Sequence, residues 1–339
     1  MESRSRPRRR SSRRQLEQGS PGGAGADRIS ALHDDLLLLV LARLGCVRTA
    51  ARTSVLSRRW RDNLWTRLPA LVFRNIAVPS LEAALGHISR PPPVVSLLEI
   101  RIPDPEQQQH KVHNARLNSL FCAVARLEPG ELVLDLPYSL VTDSLDLDLP
   151  CFRRATSITL DFSSGVLRIP AGVEFPALEM LSLSGIFTDV NTLLSRCPSL
   201  RTLQLTRVRF GGRDNHPRVT SASLQELTII NFPRYTVYGV HIVAPVLKQL
   251  TVSLTLWEAT ISVSAPMLEK GSDITYDSEG VNIAGETEKH MIIDCSVLEL
   301  HLTTGGDVFG GLVFRLLGMD QVRSATRKLK VVLWRSEVT

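Results

Sequence analysis

Leu178-Glu-Met-Leu181-Ser-Leu183 returns as Leu200-Arg-Thr-Leu203-Gln-Leu205, as Leu224-Gln-Glu-Leu227-Thr-Ile229 and as Leu247-Lys-Gln-Leu250-Thr-Val252, after an earlier form at Ala155, Ile158 and Leu160. The interval is 22 to 24 residues each time, and Pro176, Pro198, Pro245 and Pro266 stand two residues ahead of Leu178, Leu200, Leu247 and Leu268. Such a period marks a repeat architecture: each turn makes one short strand and a return, and neither buries its apolar side except against the next turn. Side chains alternate along a strand, so Leu181, Leu203, Leu227 and Leu250 are expected in one continuous core. Met180 and Ser182, Thr202 and Gln204, Glu226 and Thr228, Gln249 and Thr251 then face outward as a polar, nearly uncharged ladder. Val190, Leu193 and Leu194 have the spacing of a helical return. Beyond Glu269 the register fades, but Val297–Leu302 and Lys328–Leu333 still read as strands.

Ahead of the repeats, Asp27–Phe73 reads DRISALHDDLLLLVLARLGCVRTAARTSVLSRRWRDNLWTRLPALVF. Asp34 and Asp35 offer negative charge at a helix start, Leu36, Leu37, Val40, Leu41 and Leu44 recur at helical spacing, and Gly45 ends the helix. Val47, Ala50, Ala51 and Val55 suggest a second helix, and Ser57 caps a third carrying Trp60, Leu64 and Trp65. Three short helices have too little interior to shelter all of this, so part of the apolar surface is expected to meet another chain. Upstream, residues 1–26 hold seven arginines against two glutamates and almost nothing apolar, which predicts a disordered tail. Its clusters Arg8-Arg9-Arg10 and Arg13-Arg14 have the form of a nuclear import signal.

Asp27-Arg28-Ile29-Ser30, Leu32 with Asp34-Asp35-Leu36-Leu37, and Arg52-Thr53-Ser54-Val55-Leu56-Ser57-Arg58-Arg59-Trp60-Arg61 with Trp65 resemble the F-box of plant proteins. His33 and Gly45 stand where that family commonly has proline. The repeats resemble degenerate leucine-rich repeats of the kind that follow plant F-boxes, in FBD-type relatives among others, and the usual asparagine of the repeat is missing. The fold expected is α/β: a basic tail over 1–26, a three-helix F-box over 27–74, and over 75–339 a leucine-rich-repeat solenoid with a strand and a helical or irregular return per repeat. Relatives often carry a further C-terminal module, which is expected to be absent or truncated here. The resemblance implies docking of a Skp-family adaptor through Leu32, Leu36, Leu37, Val40, Leu41, Leu44, Val55 and Trp60. Through the adaptor it implies a cullin–RING ligase of the SCF type, with the repeats holding an unknown target protein.

Charge and chemistry narrow the alternatives. From Asp27 onward basic and acidic residues nearly balance, so the pI of about 9.3 reflects the tail, and a nucleic-acid-binding fold is not implied. Cys46, Cys122, Cys151, Cys197 and Cys295 are odd in number and scattered, which points to reduced thiols in the nucleus or cytoplasm, with Cys122 and Cys197 expected to be buried. No apolar run is long enough to span a bilayer. Gly305 and Gly310 have phosphate-loop spacing, but Gly311 replaces the lysine. His110 and His113 lack partner ligands, and Asp143, Asp146 and Asp148 read as a solvated turn. No catalytic, cofactor-binding or metal-binding residues are assigned, and the chain is expected to be a non-catalytic receptor whose target-binding face is the outward ladder, with Arg207 and Arg209 orienting an acidic target. The rival expectations are a nuclear nucleic-acid-associated scaffold using the arginine tail, and an F-box protein acting outside a ligase.

Overall fold

The computed structural model describes residue 29 and residues 32–61, 64–88, 94–103, 112–137, 145–210, 218–230, 237–268, 273–278, 291–294, 297–304 and 328–335. The basic tail, Cys295, His110, Asp143 and the glycines at 305–311 lie outside the described residues.

The N-terminal part is helical: α1 (Asp34–Ala42), α2 (Val47–Arg52) and α3 (Arg58–Arg61), with single 3-10 turns at Thr53–Val55 and Leu64–Arg67. Gly45 takes a φ of 65°, the left-handed conformation that lets the chain leave α1. From β1 (Ala70–Arg74) onward the chain builds a sheet in which every pairing is parallel. Its main path runs through β2 (Leu97–Arg101), β3 (Glu131–Leu136), β5 (Ser157–Arg168), β6 (Met180–Thr188), β7 (Thr202–Thr206), β10 (Glu226–Ile230), β12 (Gln249–Ser264), β13 (Asp273–Ser278), β15 (Val297–Thr304) and β16 (Lys328–Arg335). Neighbours in the sheet are neighbours along the chain, which is the topology of a solenoid.

The rungs explain the repeat. Leu71, Leu98, Leu132, Ile158, Leu181, Leu203, Leu227 and Leu250 lie side by side and are all buried. Two residues on, Phe73, Ile100, Leu134, Leu160, Leu183, Leu205, Ile229 and Val252 make a second buried row. The prolines have a mechanical role. Leu178, Leu200, Leu247 and Leu268 each donate a backbone N–H to the carbonyl three residues back, at 3.1–3.3 Å, so each proline occupies the second position of a β-turn, where its fixed φ is wanted. At Leu224, which lacks the proline, the Ser221 hydroxyl accepts the N–H instead, at 3.2 Å.

The sheet begins earlier than the repeat pattern announces. β1 belongs to it, so the sequence boundary at 74/75 falls inside the solenoid rather than ahead of it. Helical returns are present as α4 (Val78–His87), α5 (Asn114–Ala125) and α6 (Val190–Ser195), whose apolar faces join the same core; Phe121 of α5 meets Phe162 of β5 at 6.4 Å between ring centres. Asp189 caps α6 by accepting from the N–H groups of Asn191 and Thr192. Other returns are strands rather than helical or irregular segments: β4 (Leu145–Asp148) pairs with β5, β8 (Arg209–Phe210) with β6, β9 (Arg218–Thr220) with β11 (Val237–Val243), and β11 and β14 (Met291–Asp294) with the far half of β12. The reading of Asp146 and Asp148 as a solvated turn is therefore corrected. Asn114 and Asn118 of α5 accept the N–H groups of Asp146 and Asp148, Asn118 also donates to the Asp146 carbonyl, and this satisfies the strand's open edge. Gly165 permits the approach of β4, since a Cβ there would stand 2.9 Å from the Leu145 Cβ.

Candidate protein-interaction surfaces

On α1 the apolar residues divide between two faces. Leu37 and Leu41 point into the core with Trp60 and Trp65, and Leu32 and Leu38 pack partly against it. Leu36, Leu39 and Val40, at i, i+3 and i+4, form a stripe with 46%, 63% and 46% of their surface exposed. Leu44, Val55, Leu56 and Ile29 are exposed as well. This corrects the sequence assignment. Leu37, Leu41 and Trp60 are buried within this chain and have no surface to give a partner, Leu32 has little, and Leu39 and Leu56 belong with Leu36, Val40, Leu44 and Val55 on the outside.

An ion-pair cluster that sequence reasoning missed holds the helices in register. Arg59 donates to one oxygen of Asp34 at 2.6 and 2.9 Å, and Arg67 donates to the other at 3.0 Å. The hydrogen bond from Arg59, then that from Arg67, keeps the Asp34 carboxyl below its ordinary range. Asp34 thus ties the start of α1 to α3 and to the turn at Leu64–Arg67. His33 precedes the helix at φ −64° and makes no side-chain capping bond.

The second surface is the outward side of the sheet. Met180, Thr202, Glu226 and Gln249 occupy one rung, and Ser182, Gln204, Thr228 and Thr251 the next outward rung. All are half-buried except Glu226, which is exposed and accepts from the Thr202 hydroxyl at 3.3 Å. Arg207 differs from its sequence role. Held at a left-handed φ of 55°, it donates to Asp161 at 2.8 Å and to the Ser184 hydroxyl at 2.7 Å, so its charge is committed within the chain. Arg209 is exposed and donates to the Ser164 hydroxyl at 3.2 Å, which leaves it with spare donors.

The same face is strongly charged toward the start of the solenoid. Glu99, nearly buried, accepts from Arg74 at 3.0 Å and from Arg101 at 2.7 Å, and these bonds, that from Arg74 first, hold its carboxyl low. Asp135 lies on one rung between Arg101 and Asp161. Burial first, then the charge of Asp161, pushes its carboxyl up. The signal for this row was in the sequence: Leu71-x-Phe73, Leu98-x-Ile100 and Leu132-x-Leu134 continue the repeat, and the residues flanking them alternate outward.

Chemistry is sparse. Cys197 is buried and its thiol is pushed up to about 12 by desolvation, whereas Cys122, expected to be buried, is exposed on α5. Among the described residues no cluster of three His, Cys, Asp or Glu is placed to hold a metal, and no helix is long and apolar enough to cross a membrane.

Residues 123–292 match the family described as FBD-associated F-box protein At5g56370, LRR repeats. The chain belongs to the plant F-box/leucine-rich-repeat family. It is 30% identical over 311 residues to the F-box/FBD/LRR-repeat protein At2g04230 of Arabidopsis thaliana, covering 82% of this chain and 66% of that one. It is 26% identical over 260 residues to the putative FBD-associated F-box protein At5g56390 of the same plant, covering 66% and 59%, and 29% identical over 192 residues to its F-box protein At1g80960, covering 54% and 35%. This F-box/leucine-rich-repeat protein therefore spans between about a third and two-thirds of the length of these curated relatives. No solved structure matches it.

Proposed function

We propose that this F-box/leucine-rich-repeat protein is the substrate-recognition subunit of an SCF-type cullin–RING ubiquitin ligase, acting in the nucleus, the cytoplasm or both. In this reading α1–α3 form the F-box and dock a Skp-family adaptor, while the outward rungs of the sheet hold a target. The observation that carries it is the exposed stripe of Leu36, Leu39 and Val40 beside a fully formed core of Leu37, Leu41 and Trp60. A short helix that keeps three large aliphatic side chains in water after satisfying its own core is built for a partner. Each is already about half covered, so completing its burial contributes about 1 kcal/mol. The receptor is non-catalytic: it raises the effective concentration of target lysines near a ubiquitin-charged enzyme carried elsewhere in the assembly, and needs no nucleophile for that.

The test is co-purification of the full chain with a plant Skp-family adaptor, comparing the parent with Leu39→Asp/Val40→Asp. Both substitutions lie on the exposed face, so the melting temperature should hold while adaptor recovery is lost. Equal recovery from parent and variant would refute the docking surface.

A further inference from the structure

Where the N-terminal helices meet the first turn of the solenoid, the packing leaves a cavity of about 530 Å³. That volume is within the roughly 300–1,000 Å³ of small-ligand sites. Its walls are Val47 and Ala51 of α2, Trp65, Phe73 of β1, Ile76 and Ala84 of α4. Its polar groups gather on one side. Arg48 and Arg52 line it from α2, one helical turn apart, Asn75 lines it from the segment between β1 and α4, and Ser80 from the first turn of α4.

The charge on this lining points to a ligand. Arg48 and Arg52 are exposed like charges at i and i+4, which repel one another across one face of the helix, and neither meets a carboxylate among the described residues. By contrast, among the described residues Arg59 and Arg67 share Asp34, Arg74 and Arg101 share Glu99, and Arg116 holds Glu82. Asn75, in the wall, is held at a φ of 52°, with its N–H bound to the Arg101 carbonyl. That conformation is one asparagine adopts readily, and it turns the chain from β1 toward α4.

We propose that this cavity binds an amphipathic organic carboxylate, its apolar body against the half-buried Ala51, Ile76 and Ala84 and its carboxylate between Arg48 and Arg52. The anion relieves the repulsion of the two guanidinium groups and presents the two oxygens that their donors fit. Because the walls come from α2 on one side and from β1 and α4 on the other, an occupant joins the N-terminal helices to the solenoid and stabilises the folded chain by mass action. The site is separate from the exposed stripe of α1 and does not depend on adaptor docking.

The experiment uses the full chain with decanoate below its micellar concentration, and decanol as the uncharged probe, read by calorimetric titration and by thermal melting. Decanoate should bind and raise the melting temperature, and decanol should bind at least about tenfold more weakly, the worth of one charge-assisted contact. Arg48→Gln/Arg52→Gln should melt no lower than the parent without ligand and bind decanoate no better than decanol. Ala84→Phe, which fills the cavity, should lose both probes; Ala51→Leu serves in its place if that variant does not fold. No binding of decanoate to the parent, or equal affinity in the double glutamine variant, would overturn the proposal.

Discussion

Truncating Leu203 tests the solenoid at its centre. Leu203 is fully buried, on the inward rung between Leu181 and Leu227, so Leu203→Ala removes contacts to the turn before and the turn after at once. Strands bonded on both sides cannot collapse inward to fill the space, which puts the cost within the usual range for a core leucine, about 2–5 kcal/mol. The neighbouring Gln204 is the internal control. It shares the strand and its backbone pairing but faces outward, and Gln204→Ala should change stability by about 0.5 kcal/mol or less. Urea unfolding followed by circular dichroism measures both, with the slope reporting whether the surface exposed on unfolding is unchanged. Thermal melting should fall by several degrees for Leu203→Ala, at about 2–4 °C per kcal/mol for a cooperative unit of 150–250 residues. Equal midpoints for the two variants, or a larger loss for Gln204→Ala, would refute the inward and outward assignment along the whole sheet.

Gly165→Ala should cost about 1–3 kcal/mol by pushing β4 from β5, since the new Cβ would meet Leu145 at 2.9 Å; a melting temperature equal to the parent's would show that the edge gives way freely. His33→Pro should be stabilising by about 0.4–1 kcal/mol, because His33 already holds a φ of −64° that proline adopts; a clear loss of stability would mean that the entry to α1 differs from that described. Glu99 and Asp135 should respond to pH in opposite senses. The Glu99 carboxyl is held low by Arg74 and Arg101, so its contribution is complete at neutral pH and is lost as pH falls through its lowered folded value, whereas the Asp135 carboxyl is raised, so its penalty at neutral pH is relieved on acidification. Melting at pH 7 should therefore fall for Glu99→Gln and rise for Asp135→Asn, both gaps narrowing in acid, and shifts of the same sign at pH 7 would contradict the assigned environments.

The repeat was legible because its signal is local. Alternation along Leu181-Ser182-Leu183 and a proline-turned entry are written within a few residues, and their recurrence at a near-constant interval says that each turn meets the next. The earlier turns were harder to see. The returns through α4 and α5 differ in length, and variation in loop length is cheap for a chain to tolerate, so Leu71, Leu98 and Leu132 keep the alternation but lose the interval. The charged row followed them out of view. Arg74, Glu99, Asp135 and Asp161 become neighbours only when strands well apart in sequence are laid in register, and Arg207 reaches Asp161 across 46 residues.

For α1 the limit is of another kind. Leu36-Leu37-Leu38-Leu39-Val40-Leu41 is apolar at every position, so the run establishes a helix and an excess of apolar surface but carries no period from which to choose a face. Sequence alone determined that something in this segment must be covered, and that a parallel solenoid follows it. Which leucines fill the core and which remain for a partner was decided by tertiary packing. Trp60, Trp65 and the Asp34–Arg59–Arg67 cluster orient α1 so that Leu37 and Leu41 are spent inside, and the stripe of Leu36, Leu39 and Val40 is left in water.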